Sequence, residues 1–133
     1  FNIPPGRDGM VSVKTVCLEH GKTDPTPKSN YTIRPIDELN TDPRLKKLIE
    51  MLATDQVNHG VAQAAAWNIA NEVSWDALAR KNRVELLGGY TEKFFTLEQV
   101  AAAKVLATRV MNEVEASSKS QPAEESRSRS IKN

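Results

Sequence analysis

The sequence predicts a mainly α-helical fold: a small domain of four helices, with one or two short β-strands at its N-terminal side and a disordered C-terminal tail. Three observations predict it. Residues 61–69 form an alanine-rich run, helix-start signals precede three further amphipathic segments, and the chain after Ala116 is polar. We therefore expect a flexible arm over residues 1–10, a compact domain over 11–116 and a tail over 117–133.

The N-terminal third of the chain carries the strand-like segments. The arm is rich in proline and glycine, which favours irregular backbone. Residues 11–18 begin with alternating apolar and polar side chains, as a β-strand does, and residues 31–36 form a second strand-like segment. Pro35 cannot donate a ladder hydrogen bond, so this second segment is expected to be short or at a sheet edge. Residues 23–30 contain two prolines and are expected to form an extended loop.

Local start signals place three of the helices. Each start combines a capping side chain with a favourable first turn, and the residues concerned are Asp42 with Pro43, Ser74 with Trp75, and Thr96 with Leu97 and Gln99. The last helix is expected to run from Leu97 to about Ala116. Thr54 and Asp55 are expected to end the first helix and to cap the central one. Residues 84–90, with two glycines, are expected to be a turn-rich connector.

The alanine-rich run is expected to be the central helix. Alanine has the highest helix propensity, and small side chains let neighbouring backbones come close. Apolar residues recur on one face at four-residue spacing, and Trp67 lies off that row, so we expect the helix to be buried on more than one side. Gly60 marks either close packing or a later helix start. Gln63 is polar on this small-residue surface, and we expect it to face solvent or to bond a nearby loop.

Composition excludes several classes of function. Eighteen basic and 17 acidic side chains nearly cancel, and aromatic residues are few, so no nucleic-acid-binding surface is predicted. No apolar run is long enough for a membrane span. The chain begins at Phe1 and shows no signal peptide, which leaves open a processed or truncated product. The single cysteine excludes an internal disulfide.

The polar residues that could carry chemistry are Cys17, Glu19, His20, His59 and Gln63. Cys17 and His20 have a Cys-x-x-His spacing that His59 could extend into a zinc site, but structural zinc sites use two close pairs, so no metal is predicted. A Cys17 nucleophile with a histidine base would need an orienting third group, which no local motif supplies. No cofactor is predicted. As structural residues, the cysteine would be a small buried apolar group, and Trp67 and Trp75 would fill the core.

Two short motifs support a family resemblance. Residues 17–25 (CLEHGKTDP) and 62–68 (AQAAAWN), with Ser-Trp at 74–75 and Phe-Phe-Thr at 94–96, resemble a family of exported planctomycete proteins whose function is not known. The resemblance covers roughly residues 13–112. It implies an extracytoplasmic or secreted protein and implies no particular activity.

A second resemblance concerns chemistry. Gln63 to Trp67 is similar to the Gln-x-x-apolar-Trp pattern of bacterial surface thioester domains. In those domains a cysteine thiolate attacks the glutamine amide and ammonia leaves. The resemblance implies an internal Cys17–Gln63 thioester, with Trp67 shielding the bond from water and His20 transferring the proton. The chain departs from those domains in its shorter length, in its closer Cys–Gln spacing and in Ala62, where threonine is usual.

Together these observations predict a non-enzymatic exported domain that binds a protein or a cell-envelope component. The alternative is a covalent adhesion module that uses the Cys17–Gln63 thioester. A third class is a small metal-binding or thiol regulatory protein.

Overall fold

The computed structural model of the protein describes residues 2–23 and 25–131. Its elements follow the chain in this order: a 3-10 helix at Ile36–Glu38, α1 at Pro43–Ala53, α2 at His59–Asn71, α3 at Trp75–Arg80, β1 at Asn82–Glu85, β2 at Thr91–Lys93 and α4 at Leu97–Ile131. The predicted fold class, a mainly α small domain of four helices, is confirmed. The two strands form one antiparallel hairpin.

Three of the predicted helix starts are confirmed by their capping hydrogen bonds. The Asp42 carboxylate accepts from the backbone N–H of Arg44, and the Ser74 hydroxyl accepts from that of Ala77. Thr96 and Gln99 form a reciprocal capping box, in which each side chain accepts from the other residue's backbone N–H at 3.0 and 2.9 Å. These starts could be predicted because each depends on residues within one helical turn.

The start of α2 differs from the prediction. Asn58, and not Thr54 or Asp55, is the capping residue, and its side chain accepts from the backbone N–H of Gly60 at 2.9 Å. Asp55 has a left-handed backbone with φ of 59°, which interrupts a helical path. Gly60 therefore lies in the first turn of α2. A Cβ there would come within 2.5 Å of the Gln99 side chain, so Gly60 also marks close packing.

The strands also lie elsewhere than predicted. Residues 11–18 and 31–36 contain no strand, whereas β1 and β2 lie at the two ends of residues 84–90, where only a connector was expected. An alternating pattern makes a strand only where a neighbouring backbone is available to pair with, and residues 15–20 lie against side chains of α2 instead. Gly88 and Gly89 have φ of 103° and 92°, which supplies the left-handed backbone that this hairpin turn needs.

Helix α2 is the centre of the domain, as predicted. It packs against α1 and α4, and α3 packs against α4. Four of its alanines are fully buried, and Trp67 is only 6% exposed. The buried alanines are Ala62, Ala64, Ala65 and Ala66. A helix that is apolar on most of its surface must be covered on several sides, and small side chains make that covering close.

The packed part of α4 ends near the predicted domain boundary. Its buried side chains reach Val110, Val114 is half-buried, and residues 115–118 are exposed. Residues 117 and 118, the first of the predicted tail, are exposed and add nothing to the core. The helical backbone nevertheless extends to Ile131, beyond the expected end near Ala116, because extending a formed helix needs no new nucleus. Parts of the predicted arm and tail, Phe1 and residues 132–133, lie outside the described residues.

Candidate functional site

The Gln63 side chain binds both backbone polar groups of Cys17. Its Oε1 accepts from the Cys17 N–H at 2.8 Å, and its Nε2 donates to the Cys17 carbonyl at 2.8 Å. Gln63 is only 7% exposed, so its amide needs partners inside the protein. An extended residue presents its N–H and C=O on the same side, which matches the two ends of a primary amide. Of the two arrangements expected for Gln63, the bond to a nearby loop is therefore the one observed.

Three further side chains of α2 contact the same N-terminal segment. The His59 Nε2 lies 2.6 Å from the Thr15 carbonyl, and the Asn71 side chain accepts from the His20 N–H at 3.0 Å. The Thr15 carbonyl can only accept, so His59 carries a proton on Nε2. Trp67 contacts the His20 ring edge-on, with centroids 4.9 Å apart. Residues 15–20, here called the docked segment, are therefore held along the whole length of α2.

The four α2 residues that hold the docked segment form a single stripe. His59, Gln63, Trp67 and Asn71 are spaced four residues apart, which places them on one face of the helix. The four-residue spacing of these side chains is present in the sequence, but the periodicity of the apolar positions alone does not reveal it. It is the signal that would have identified His59 and Asn71 as contacts of the segment that carries Cys17.

Aromatic rings and cations gather around Trp67. Its ring lies 5.3 Å from that of Phe94, and the ammonium of Lys81 lies 5.3 Å above the indole and 5.6 Å above Phe94. The Arg83 guanidinium lies 4.8 Å from the Phe94 ring. These distances are typical of cation–π contacts. We call His20, Trp67, Lys81, Arg83 and Phe94 the basic–aromatic cluster.

Two polar groups of this cluster are perturbed by their surroundings. Burial lowers the pKa of His20, and the positive charge of Lys81 lowers it further. The Trp67 indole N–H is buried and has no acceptor among the described residues. An unsatisfied buried donor costs about 1–3 kcal/mol, so this indole N–H lowers the stability that Trp67 gains from burial.

A cavity of about 550 Å³ lies beside the cluster. It is bounded by the docked segment, the first turns of α2 and the Phe94–Phe95 pair. Its lining includes Cys17, Tyr31, His59, Gln63, Arg83 and Phe94. Apolar walls with a few convergent polar groups are typical of binding cavities of this volume. Cys17 also lines a second cavity, of about 620 Å³, on the side of Leu39 and Asn71.

The structure brings some of the predicted site residues together. Cys17, a half-buried free thiol, lies next to Gln63, and His20 reaches the same helix through Trp67. Glu19 instead forms an exposed salt bridge with Lys22 at 2.9 Å. In the described part of the chain, no three His, Cys, Asp or Glu side chains are grouped as a metal ion would require. Cys17, His20 and His59 are therefore not gathered into a metal site there.

None of the helices within the described ranges is both long and apolar enough to cross a membrane. Comparison with known proteins finds no family model, no curated protein and no solved structure that matches this chain. The candidate site is therefore interpreted from its own geometry.

Proposed function

We propose that this chain is a non-enzymatic domain that binds another protein or a cell-envelope component outside the cytoplasm. The observation that carries the proposal is the tip of the β1–β2 hairpin. Leu86, Leu87 and Tyr90 are 57%, 105% and 60% exposed there. Three large apolar side chains on one turn form a surface that gains free energy when a partner covers it, about 1.5–3 kcal/mol for each fully buried side chain.

The base of the hairpin supports a role in recognition, because it is fixed to the core. The Phe94 N–H donates to the Lys81 carbonyl at 2.9 Å, and the Phe94 ring packs on Trp67. A projecting turn on a fixed base loses little conformational entropy on binding. Tyrosine is one of the residues that most often supply a large share of the binding energy at an interface. The extracytoplasmic location is proposed from the family resemblance alone.

A matched pair of variants tests this proposal. The full chain and its Leu87→Asp variant are immobilised and exposed to an envelope extract from the source organism, and bound proteins are quantified by mass spectrometry. Val105→Asp is the control, because Val105 is also an exposed apolar residue but lies on α4. We expect a saturable partner that is lost with Leu87→Asp and kept with Val105→Asp. Equal retention by all three proteins, or no saturable partner, would contradict the proposal.

The second candidate function is covalent adhesion through a Cys17–Gln63 thioester. One contact supports it: the buried Gln63 amide binds the backbone N–H and C=O of Cys17, the only cysteine of the chain. In the reaction the Cys17 sulfur would attack the Gln63 side-chain carbon, a C–S bond would form and the C–N bond would break. Ammonia would leave with the thiol proton. The Gln63 Oε1 could still accept from the Cys17 N–H, but the Nε2 bond would be lost.

Intact mass measurement tests the thioester. The native protein would be lighter than its sequence by the mass of one ammonia, and methylamine would add to it as a covalent adduct at Gln63. Cys17→Ala is the control, because it keeps the backbone groups that Gln63 binds and removes the sulfur. A full sequence mass with one freely titratable thiol would exclude this candidate and leave the binding proposal intact.

A further inference from the structure

We infer that the basic–aromatic cluster and the adjoining cavity bind an acidic peptide segment of the partner, with a carboxylate against Lys81 and Arg83 and a neighbouring apolar side chain in the cavity. This inference rests on the proposed protein-binding function and names the chemistry of the partner.

The first argument is the charge of the cluster. Lys81 and Arg83 form no ion pair with any carboxylate of the described chain, whereas other cations such as Lys14, Lys22 and Arg109 do. Both unpaired cations contact the Phe94 ring, at 5.6 and 4.8 Å from its centroid, and the ring does not neutralise them. A carboxylate from outside would supply the missing negative charge, and an arginine binds it through two parallel hydrogen bonds.

The second argument is the wall on which the cations lie. Rings of Phe94, Trp67 and Phe95 pack together beneath them, and Phe94 is half-buried. Such a wall excludes water from one side of a bound carboxylate, and ion pairs in a less polar environment are stronger than fully exposed ones.

The third argument is the position of the cavity. Arg83 and Phe94 belong both to the cluster and to the cavity lining. A ligand that places a carboxylate on Arg83 therefore has an apolar space of about 550 Å³ directly beside it. An acidic residue next to a large aliphatic or aromatic residue in a peptide has this arrangement of groups. The apolar side chain would gain free energy from burial and the carboxylate from pairing.

The charges farther along the hairpin favour a peptide over a polyanion. Glu85 and Glu92 follow Arg83 on β1 and β2, so a nucleic acid that extended from the cluster would meet two carboxylates. The chain as a whole carries a formal charge of only +1. Nucleic-acid binding depends on several neutralised phosphates along one basic surface, and these two carboxylates end the basic surface that Lys93 extends at the hairpin base. One acidic side chain with an apolar neighbour fits two cations and a cavity.

The test is a selection from a random peptide display library on the full-length protein. The double variant Lys81→Gln/Arg83→Gln removes the two cations. Its control is Lys104→Gln/Arg109→Gln, which removes two cations from α4 and so has the same net charge. We expect peptides with an acidic residue beside a large apolar residue to be enriched on the wild type and on the control. The Kd of the best synthetic peptide should rise about ten- to a hundredfold in the Lys81/Arg83 variant, as expected for a lost hydrogen bond to a charged group.

The other outcomes separate this inference from the proposal on which it rests. One contrary outcome is the enrichment of neutral peptides whose binding is unchanged in the Lys81/Arg83 variant and lost in Leu87→Asp. This outcome would overturn the inference and support the hairpin as a binding surface. Enrichment on none of the folded proteins would overturn the inference, while the envelope-extract experiment with Leu87→Asp would still decide the proposed function. Tighter binding of an oligonucleotide or of anionic lipid vesicles, abolished by the same double variant, would overturn the peptide assignment. Thermal unfolding of each variant establishes that it is folded.

Discussion

The amide of Gln63 occupies the place that a neighbouring strand would occupy for Cys17. Both of its polar atoms lie 2.8 Å from the Cys17 backbone, one as acceptor and one as donor. His59 and Asn71 each supply one further bond to the docked segment. The segment therefore obtains its backbone hydrogen bonds from the side chains of a helix, which explains how it can lie on α2 without belonging to a sheet.

Replacing Gln63 by leucine should release this segment. Leucine has a similar volume but leaves the Cys17 N–H and carbonyl without partners, so we expect a loss of about 1–3 kcal/mol in the free energy of unfolding. Hydrogen exchange should become faster at the Cys17 amide. Exchange at the α4 amides should change only as much as the free energy of global unfolding changes. Asn71→Ala is the control, because it removes a bond of the same stripe to the His20 N–H and leaves both bonds to Cys17 in place. Unchanged protection at Cys17 in the leucine variant would contradict this account of the segment.

Trp67 should contribute more to stability than the other tryptophan of the chain. It is 6% exposed and contacts three aromatic rings, whereas Trp75 is only half-buried at the start of α3. We expect Trp67→Ala to lower the free energy of unfolding by about 3–5 kcal/mol and Trp75→Ala to lower it by less. Chemical denaturation of the two variants measures both values. A loss below about 1 kcal/mol for Trp67→Ala would mean that the indole does not pack in the core.

The parts of the fold that depend on near neighbours could be predicted from the sequence. Asp42, Ser74 and the Thr96–Gln99 pair each cap a helix through atoms within one turn, so their residue types sufficed. The burial of Trp67 followed from the apolar surroundings of α2. The prediction for the α2 start was wrong because Asp55 and Asn58 are both good capping residues, and the left-handed backbone at Asp55 decided between them.

The parts that depend on distant neighbours could not be predicted in the same way. Alternation in residues 11–18 is compatible with a strand, but a strand needs a second backbone, and α2 side chains took that place. The contact of Cys17 with Gln63 was anticipated only through a resemblance, and the bond pattern was not. The closeness of Lys81 to Trp67 and of Arg83 to Phe94 depends on how the two ends of the hairpin pack on Trp67, which no local pattern encodes.

His20 should make stability fall as the solution becomes more acidic. Its pKa is lowered below 6.5 in the folded protein by burial and by Lys81, so the unfolded chain binds the proton more readily. The neutral ring contributes its full stabilisation above the pKa that His20 has in the unfolded chain. This contribution is lost as the pH falls through the lower pKa that His20 has in the folded protein. We expect the Tm of the wild type to fall more steeply with acidification than that of His20→Gln. Parallel curves for the two proteins would contradict a lowered His20 pKa.

Asp42 should contribute to stability both as a cap and as a charge. Its carboxylate accepts from the Arg44 backbone N–H at 2.9 Å and pairs with the Arg44 guanidinium at 2.6 Å. The side-chain hydrogen bonds to Arg44 lower the pKa of Asp42 below 3.8, although partial burial opposes this shift. The unfolded carboxyl therefore takes up a proton at a higher pH than the folded one. The stabilising charge is fully present above the unfolded pKa and is lost as the pH falls through the folded value.

Two substitutions separate these contributions of Asp42. Asp42→Ala removes both the cap and the charge and should cost about 1 kcal/mol at neutral pH, within the range of about 0.5–2 kcal/mol seen for N-cap residues. Asp42→Asn keeps a capping oxygen, so it should cost less, and its difference from the wild type should shrink as the pH falls below 3.8. Denaturant titrations of the three proteins across that range measure both effects. A difference between asparagine and aspartate that stays constant with pH would show that the Arg44 pair contributes nothing, because only the charged carboxylate can form it.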